Sequence, residues 1–310
     1  MPDEYDAGLP RASAATRILT LIAVLVPPAG FIVGIALLWG VAFDWTHLAI
    51  MAVMYLASGF GITLGYHRLF THRSFETSRP IKLLLGVMGS MAVEGSLVRW
   101  CATHRMHHQH SDDHADPHSP HTEGSGVRGV LKGIWHAHVG WIFDADSLDL
   151  RKYTQDLCKD STVVWVSKTF PVWVLLGLAL PAAVGGLITM SWYGALLGFL
   201  WGGLARIFLV HHATWSVNSV CHLWGSRQYR SHDESRNNPI VGVLALGEGW
   251  HNNHHAFPTS ARHGLSWWQV DISYMVLKAL ELVGLVWKVK VPSPEKLASL
   301  RLADTTGADT

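Results

Sequence analysis

Four long, mostly apolar runs, at residues 18–43, 45–66, 169–190 and 191–210, constrain the fold of this 310-residue chain more than any other feature. A helix crosses a bilayer with about 20 such residues. Inside hydrocarbon each backbone N–H and C=O must be satisfied within its own segment, so these runs read as spanning helices. Pro27-Pro28 kinks the first run or delays its start. The fourth carries a single charge, Arg206 near its end, where a long side chain can snorkel to the interface. Composition agrees: 15% of residues are charged, against about 25% in a soluble domain. The net charge of +1 offers nothing to nucleic acid. The acidic start, with Asp3, Glu4 and Asp6, and the length of the first run do not fit a signal peptide. The expected architecture is a single-domain, all-α integral membrane protein over residues 1–310, with four crossings.

Residues 81–98 are nearly long enough to cross as well, but they carry Lys82 and Glu94. A crossing there would separate histidine groups that lie before and after it, so the segment is expected as a helix buried in the cap or lying along the interface. Orientation follows from lysine and arginine asymmetry. Arg11 and Arg17 precede the first run, and Arg68, Arg73, Arg128, Lys132, Arg151, Lys152, Lys159 and Lys168 lie between the second and third. The short connections near Asp44 and Ser191 carry no positive residue, which places both termini and a helical cap (67–168 and 211–298) in the cytoplasm. Residues 267–287 are expected along the membrane surface with Trp267, Trp268 and Trp287 in the aromatic belt. Residues 299–310 are expected as a disordered tail. Cys101, Cys158 and Cys221 are odd in number and form no C-x-x-C pair, so they read as reduced thiols, with Cys221 a small filler.

Nine of the 20 histidines stand at the ends of these runs or just beyond. They are His67 and His72; His104, His107 and His108; His222, four residues after Asn218; and His251, His254 and His255. Neutral imidazole is a common ligand of iron, zinc and copper. Nine exceed the needs of one tetrahedral zinc site and suit two metals of four or five ligands each. On an α-helix residues three and four apart share a face, so each H-x-x-H-H group can aim its three rings at a common point. His67 and His72, five apart, diverge by about 140° on an α-helix. The second span must therefore end near Phe70 or Thr71 to swing His72 inward. His110, His114, His118 and His121, beside Asp112, Asp113 and Asp116, read as a polar loop ordering the site from outside the ligand set. His136, His138, His211, His212 and His263 read as structural.

The order of these groups resembles the membrane fatty-acid desaturases, most closely the acyl-CoA Δ9 (stearoyl-type) branch. The likeness covers residues 45–260 and rests on Gly-Ile-Thr-Leu-Gly-Tyr-His67-Arg-Leu-Phe-Thr-His72-Arg, His104-Arg-Met-His107-His108 and His114-Ala-Asp-Pro-His118. It continues through His138-Val-Gly-Trp141, Ala213-Thr-Trp-Ser-Val-Asn218-Ser-Val-Cys-His222 and Gly247-Glu-Gly-Trp-His251-Asn-Asn-His254-His255-Ala-Phe-Pro258. The resemblance implies four membrane helices under a cytosolic cap holding two irons, with the nine histidines as ligands and Asn218 reaching one metal through water. It implies O2-dependent removal of two hydrogens from adjacent methylenes of a long-chain acyl thioester, acyl-CoA first, giving a cis double bond at Δ9. Electrons would come from NAD(P)H through a reductase and a separate redox protein, and the setting would be a bacterial plasma membrane. Zinc, with no redox chemistry, cannot oxidise an unactivated methylene, whereas all-imidazole ligation suits iron.

Two places depart from the animal enzymes of that branch. An Arg-Asp pair before the second histidine group is replaced by Ala102-Thr103, preceded by Arg99 and Trp100, and residues 119–134 are extra. Both fall where a head group would rest, leaving acyl carrier protein or a phospholipid chain open as carriers, and Trp100 is a substrate-contact candidate. A membrane hydroxylase shares the histidine chemistry but would be expected to have more spans. A non-enzymatic metal carrier would place its ligands within the spans. Counting back from His67, Gly59 and then Tyr55 lie progressively deeper, Tyr55 about 18 Å along the axis at 1.5 Å per residue. Gly59 leaves room for an acyl chain whose end the Tyr55 ring closes; alternatively, Tyr55 packs between helices with its hydroxyl bonded and never meets substrate. Ala57, Gly61 and Gly65 form a packing ridge on another face.

Overall fold

The computed structural model describes residues 14–41, 45–144 and 150–303. The acidic N-terminal residues, Arg11, Asp44 and residues 304–310 lie outside the described residues. Among those described, four helices are long and apolar enough to cross a membrane: Ile18–Ala36, Trp45–Thr71, Phe170–Thr189 and Trp192–His222. These coincide with the four apolar runs. The second and fourth extend beyond bilayer length and carry the chain straight into the cap.

Helix α1 (Ala14–Val41) is followed by α2 (Trp45–Phe60), which continues as a π-helix over Gly61–Thr71. Next come β1 (Glu76–Thr77), α3 (Arg79–Ser90), α4 (Leu97–His110) and α5 (Gly126–Trp135). A π-turn, His136–Gly140, leads into α6 (Trp141–Asp144), and α7 (Leu150–Thr154) and α8 (Ser161–Lys168) complete this part of the cap. The third span is α9 (Phe170–Thr189). The fourth is built from α10 (Trp192–Gly198), a π-segment Phe199–Ala205, α11 (Arg206–Ser219) and a 3₁₀ turn Val220–His222. Then follow α12 (Pro239–Leu244), α13 (His251–Ala256), α14 (Ile272–Leu282), β2 (Val286–Trp287) and α15 (Pro294–Leu300). Strands β1 and β2 pair antiparallel, Glu76 opposite Trp287 and Thr77 opposite Val286, and tie the end of the cap back to its beginning.

Small residues let the spans approach closely, as expected where lipid supplies no hydrophobic drive between helices. A β-carbon at Gly185 or Gly198 would run into the carbonyls of Gly194 and Pro181 across the α9–α10 contact. At Gly61 and Gly65 it would meet the α3 backbone at Met88, Gly89 and Leu85, so these two members of the expected ridge pack the second span closely on α3. Outward-facing Ile18, Leu19, Ile22, Leu175, Leu187 and Ile188 leave an apolar girdle for acyl chains.

Three expectations are corrected. Arg206 does not snorkel: its side chain is fully buried, and its guanidinium donates to the carbonyls of Gly202, Met91 and Gly177, stapling the third and fourth spans to the turn after α3. Its five N–H donors need acceptors, and backbone carbonyls supply them more cheaply than a desolvated carboxylate would: Met91 caps the end of α3, and Gly177 lies four residues before Pro181, which has no N–H to donate to it. The tail is ordered further than composition suggests, because Ser293 caps α15 and Leu300 and Leu302 exchange backbone hydrogen bonds with Arg230 and Gln228. Residues 81–98 do not cross, as expected, but they are not the single helix expected there. α3 stops at Ser90, and the chain turns through Val93 and Gly95, both at positive φ, before α4 starts. Residues 267–287 comprise α14 and β2, with Trp267 almost wholly exposed.

Candidate metal centre

The two extended spans deliver the ligands. Within Gly61–Thr71 hydrogen bonding runs from i to i+5, and His72 N–H donates to His67 C=O at 3.1 Å in the same register. Residues five apart stack in a π-helix, so His67 and His72 meet with ring centroids 4.8 Å apart. The span ends at Thr71, where the sequence required it, but π-winding does part of the turning.

The nine histidines gather into two adjoining groups. His67, His72, His104, His108 and His254 form one, and His107, His222, His251 and His255 the other, each with ligand nitrogens within 4.8 Å of one another. Each H-x-x-H-H helix straddles both groups rather than aiming at one point. On α4, His104 and His108 serve the first and His107 the second; on α13, His251 and His255 serve the second and His254 the first. Steps of three and four residues turn a helix by about 300° and 400°, so the i+3 ring diverges from the i,i+4 pair by up to about 100°. That divergence suits two neighbouring centres.

Carboxylates hold the rings from behind. His67 Nδ1 lies 2.6 Å from Glu248, His107 Nδ1 3.0 Å from Asp116 and His222 Nδ1 2.9 Å from Asp112, while His255 Nδ1 bonds Asp233. Each such bond fixes Nδ1 as the protonated nitrogen and turns the Nε2 lone pair inward. Inside, Nε2 faces Nε2: His67 and His254 are 3.0 Å apart, His108 and His254 2.9 Å, His104 and His72 3.1 Å, His251 and His222 3.0 Å. Burial, then the neighbouring imidazoles, hold His104, His108, His251 and His254 well below the usual histidine range, and so neutral. Asp116 and Asp233 stay ionised against the effect of burial, chiefly through His107 and His255, and Asp112 is lowered to about 2 in the same sense by His222. The Nε2 lone pairs of His67, His107, His222 and His255 need an electron-pair acceptor, and a cation among the facing rings would satisfy them together. The four carboxylates match the four positive charges of two divalent ions. The residues therefore fit two metals with nitrogen-rich coordination.

Asp112 and Asp116 show that the 112–121 loop orders the ligands from outside, as expected; His121 Nε2 also bonds the His222 carbonyl, and His118 stacks on His107. Glu248 and Asp233 escaped the sequence reading. Glu248 lay inside a quoted motif without a role, and Asp233 sits in a loop with no periodicity to mark it. His263, expected to be merely structural, packs on His254 at 4.5 Å and lies 3.1 Å from Glu248. Fully buried Arg68 bridges Glu248 and Asp271, locking that carboxylate in place.

A cavity opens beside the histidines. His67, His104, His251, Glu248, Trp100 and Asn218 line the end nearest them; Tyr55, Gly59, Leu244, Ala245 and Leu246 line the other. Tyr55 lines the cavity and donates its hydroxyl to the Leu244 carbonyl at 2.5 Å. A β-carbon on Gly59 would press on Leu246.

The fatty acid desaturase family model matches residues 43–280. A hex-5-enoyl-[acyl-carrier protein] acetylenase of Moorena producens (strain JHB) is 41% identical over 90% of this chain and 88% of its own length. An sn-1 stearoyl-lipid 9-desaturase of Anabaena variabilis is 39% identical over 80% of this chain and 86% of its own. An acyl-CoA C20 Delta5-desaturase of Anemone leveillei is 38% identical over 81% and 76%. The chain belongs to the fatty acid desaturase family, and is a membrane oxidoreductase by that membership.

Proposed function

We propose that this protein introduces a cis double bond, at C9, into a long-chain saturated acyl thioester, acyl-CoA first. The observation that carries this reading is the cavity itself: it is lined by residues of both histidine groups at one end and by Tyr55 and Leu244 at the other, which supports an apolar chain lying with its middle at the metals and its end toward Tyr55. His67, His72, His104, His108 and His254 would hold one iron. His107, His222, His251 and His255 would hold the other, with Asn218 contributing through a water. The irons supply the O2-dependent oxidising power that no side chain possesses. In the balance, two substrate hydrogens, two protons and two electrons reduce O2 to two waters. The electrons come from a separate redox protein served by an NAD(P)H reductase.

The chain's own residues position and insulate. Trp100 stacks on His104 and forms cavity wall, while Glu248, Asp116, Asp112 and Asp233 keep Nε2 lone pairs aimed at the metals. Gly59 and Tyr55 set the depth available to the methyl end. Lysine and arginine asymmetry supports a cytoplasmic position for the metal face in a bacterial plasma membrane.

A second reading has one observation in its favour. The Moorena relative is an acetylenase whose name carries an acyl carrier protein substrate. Removal of two hydrogens from an existing alkene on that carrier would use the same centre. Gas chromatography of acyl products, after expression in a host lacking desaturases and with acyl-CoA, acyl carrier protein and lipid substrates supplied in turn, separates these readings. A Δ9 alkene from saturated acyl-CoA supports the first. An alkyne supports the second, and an alcohol would replace both with a hydroxylase.

A further inference from the structure

The extra segment between the second histidine group and His138 contains a helix with three distinct faces. At 100° per residue, Val127, Val130, Leu131 and Trp135 of α5 fall on one side, Arg128 and Lys132 beside them, and Gly129 and Gly133 opposite. The glycine face is buried: a β-carbon there would run into the carbonyls of Gly124 and Pro120. The apolar face is bare, with Val127 79%, Leu131 63% and Trp135 64% exposed, and the two cations are exposed with it.

The level of this helix can be read from its neighbour. About 20 residues at 1.5 Å each cross a 30 Å hydrocarbon core; counted from Trp192, they end near His212. His212 Nδ1 lies 2.9 Å from His138 Nε2, three residues beyond Trp135, and α6, just after, touches α1. The end of α5 is thus held at the bilayer boundary on the metal-centre side, continuous with the lipid-facing surface of the spans. An amphipathic helix with valine, leucine and tryptophan on one face and basic residues beside them is built for that plane.

We propose that α5 lies in the headgroup layer of an anionic membrane, its Val127/Val130/Leu131/Trp135 face at the acyl boundary and Arg128 and Lys132 on lipid phosphates. Its glycine face seats on the loop whose Asp112 and Asp116 orient His222 and His107, so the lipid surface braces the back of the metal centre. The inference is independent of which acyl carrier the enzyme uses.

The test uses the full-length holoenzyme in nanodiscs. Cys101 and Cys221 are buried and Cys158 is exposed, so Cys158→Ser gives a background for site-directed labelling. An environment-sensitive fluorophore is attached to Val130→Cys, to Leu131→Cys, or to Lys296→Cys on α15 as a control. In nanodiscs containing anionic lipid, the two α5 probes should emit to the blue and be quenched by lipids spin-labelled near the headgroup, while the control stays water-like. Arg128→Gln/Lys132→Gln should weaken that quenching and remove its dependence on anionic lipid. Water-like, unquenched α5 probes would overturn the proposal. So would probes that shift only when acyl carrier protein is added, an outcome that would make α5 a protein-docking face.

Discussion

Asp233 illustrates how much a single unmarked residue contributes. It is buried, bonds Nδ1 of His255 and receives Ser235 Oγ–H, so its charge is committed to one imidazole. Asp233→Asn should lower bound iron and turnover by about 10- to 100-fold, measured by metal analysis and product formation on the same preparation. His107→Ala should abolish turnover and lower the iron content, and full activity in that variant would remove His107 from the site. Asn218→Ala should keep most of the iron, because all nine imidazoles remain, yet lose much of the turnover. Wild-type turnover there would make the Asn218 face structural.

Glu94 makes a different prediction. One carboxyl oxygen accepts from Trp100 Nε1 at 3.0 Å, and Thr214 also bonds the buried carboxyl, but no cation among the described residues stands beside it. Burial pushes this group up from 4.5 to about 7. The folded state then holds a proton that the unfolded chain has released. Its contribution to stability is fully present below pH 4.5 and is lost as pH rises through 7. Thermal melts between pH 6 and 8 should show a falling Tm that is flattened in Glu94→Gln. The same slope in both proteins would assign the titration elsewhere.

Among the elements, the second span carries most of the mechanism. Its α-helical part lines the cavity with Tyr55 and Gly59, and its π-helical part and cap bring His67 and His72 into the first histidine group. Tyr55→Ala opens the closed end beside Leu244 and should shift preference toward longer acyl chains. Gly59→Phe fills the cavity against Leu246 and should shift it toward shorter ones. Competition among chains of different length in one reaction reads both, and an unchanged profile in both variants would show that the cavity does not measure the substrate. The buried Arg206 staple is the corresponding device of the fourth span. It fixes the turn before α4, from which His104, His107 and His108 project.

For the whole molecule, bound metal would belong to the folding balance. Nine imidazoles from the end of the second span, α4, the end of the fourth span and α13 gather into two adjoining groups, and cations between them would relieve the crowding of their nitrogens. Bound ions stabilise by about 4 kcal/mol at a thousandfold excess over Kd. Chelation should therefore lower Tm markedly and restoring ferrous iron should recover it, with about two irons per chain in the loaded protein. An unchanged Tm after complete iron removal would mean that the clusters are held by packing and carboxylates alone.

Much of this was legible in the chain because it depends on short-range order. Apolar length specifies a span wherever it occurs, and i,i+3,i+4 spacing puts imidazoles on a helix whatever surrounds it. The four crossings, the nine histidines and the ordering role of the 112–121 loop could be read for that reason. The sorting of each H-x-x-H-H group between two centres, the π-winding that joins His67 to His72, the burial of Arg206 and the roles of Glu248 and Asp233 were not legible. Each depends on a partner far away in sequence: Arg206 finds carbonyls at Met91 and Gly177, and Asp233 finds His255 from an irregular loop. Sequence alone determined which residues could bind metal and which segments could cross a bilayer. Tertiary structure decided which carboxylate stands behind which ring, because a buried charge or lone pair takes whatever complementary group the packed fold brings within hydrogen-bond reach.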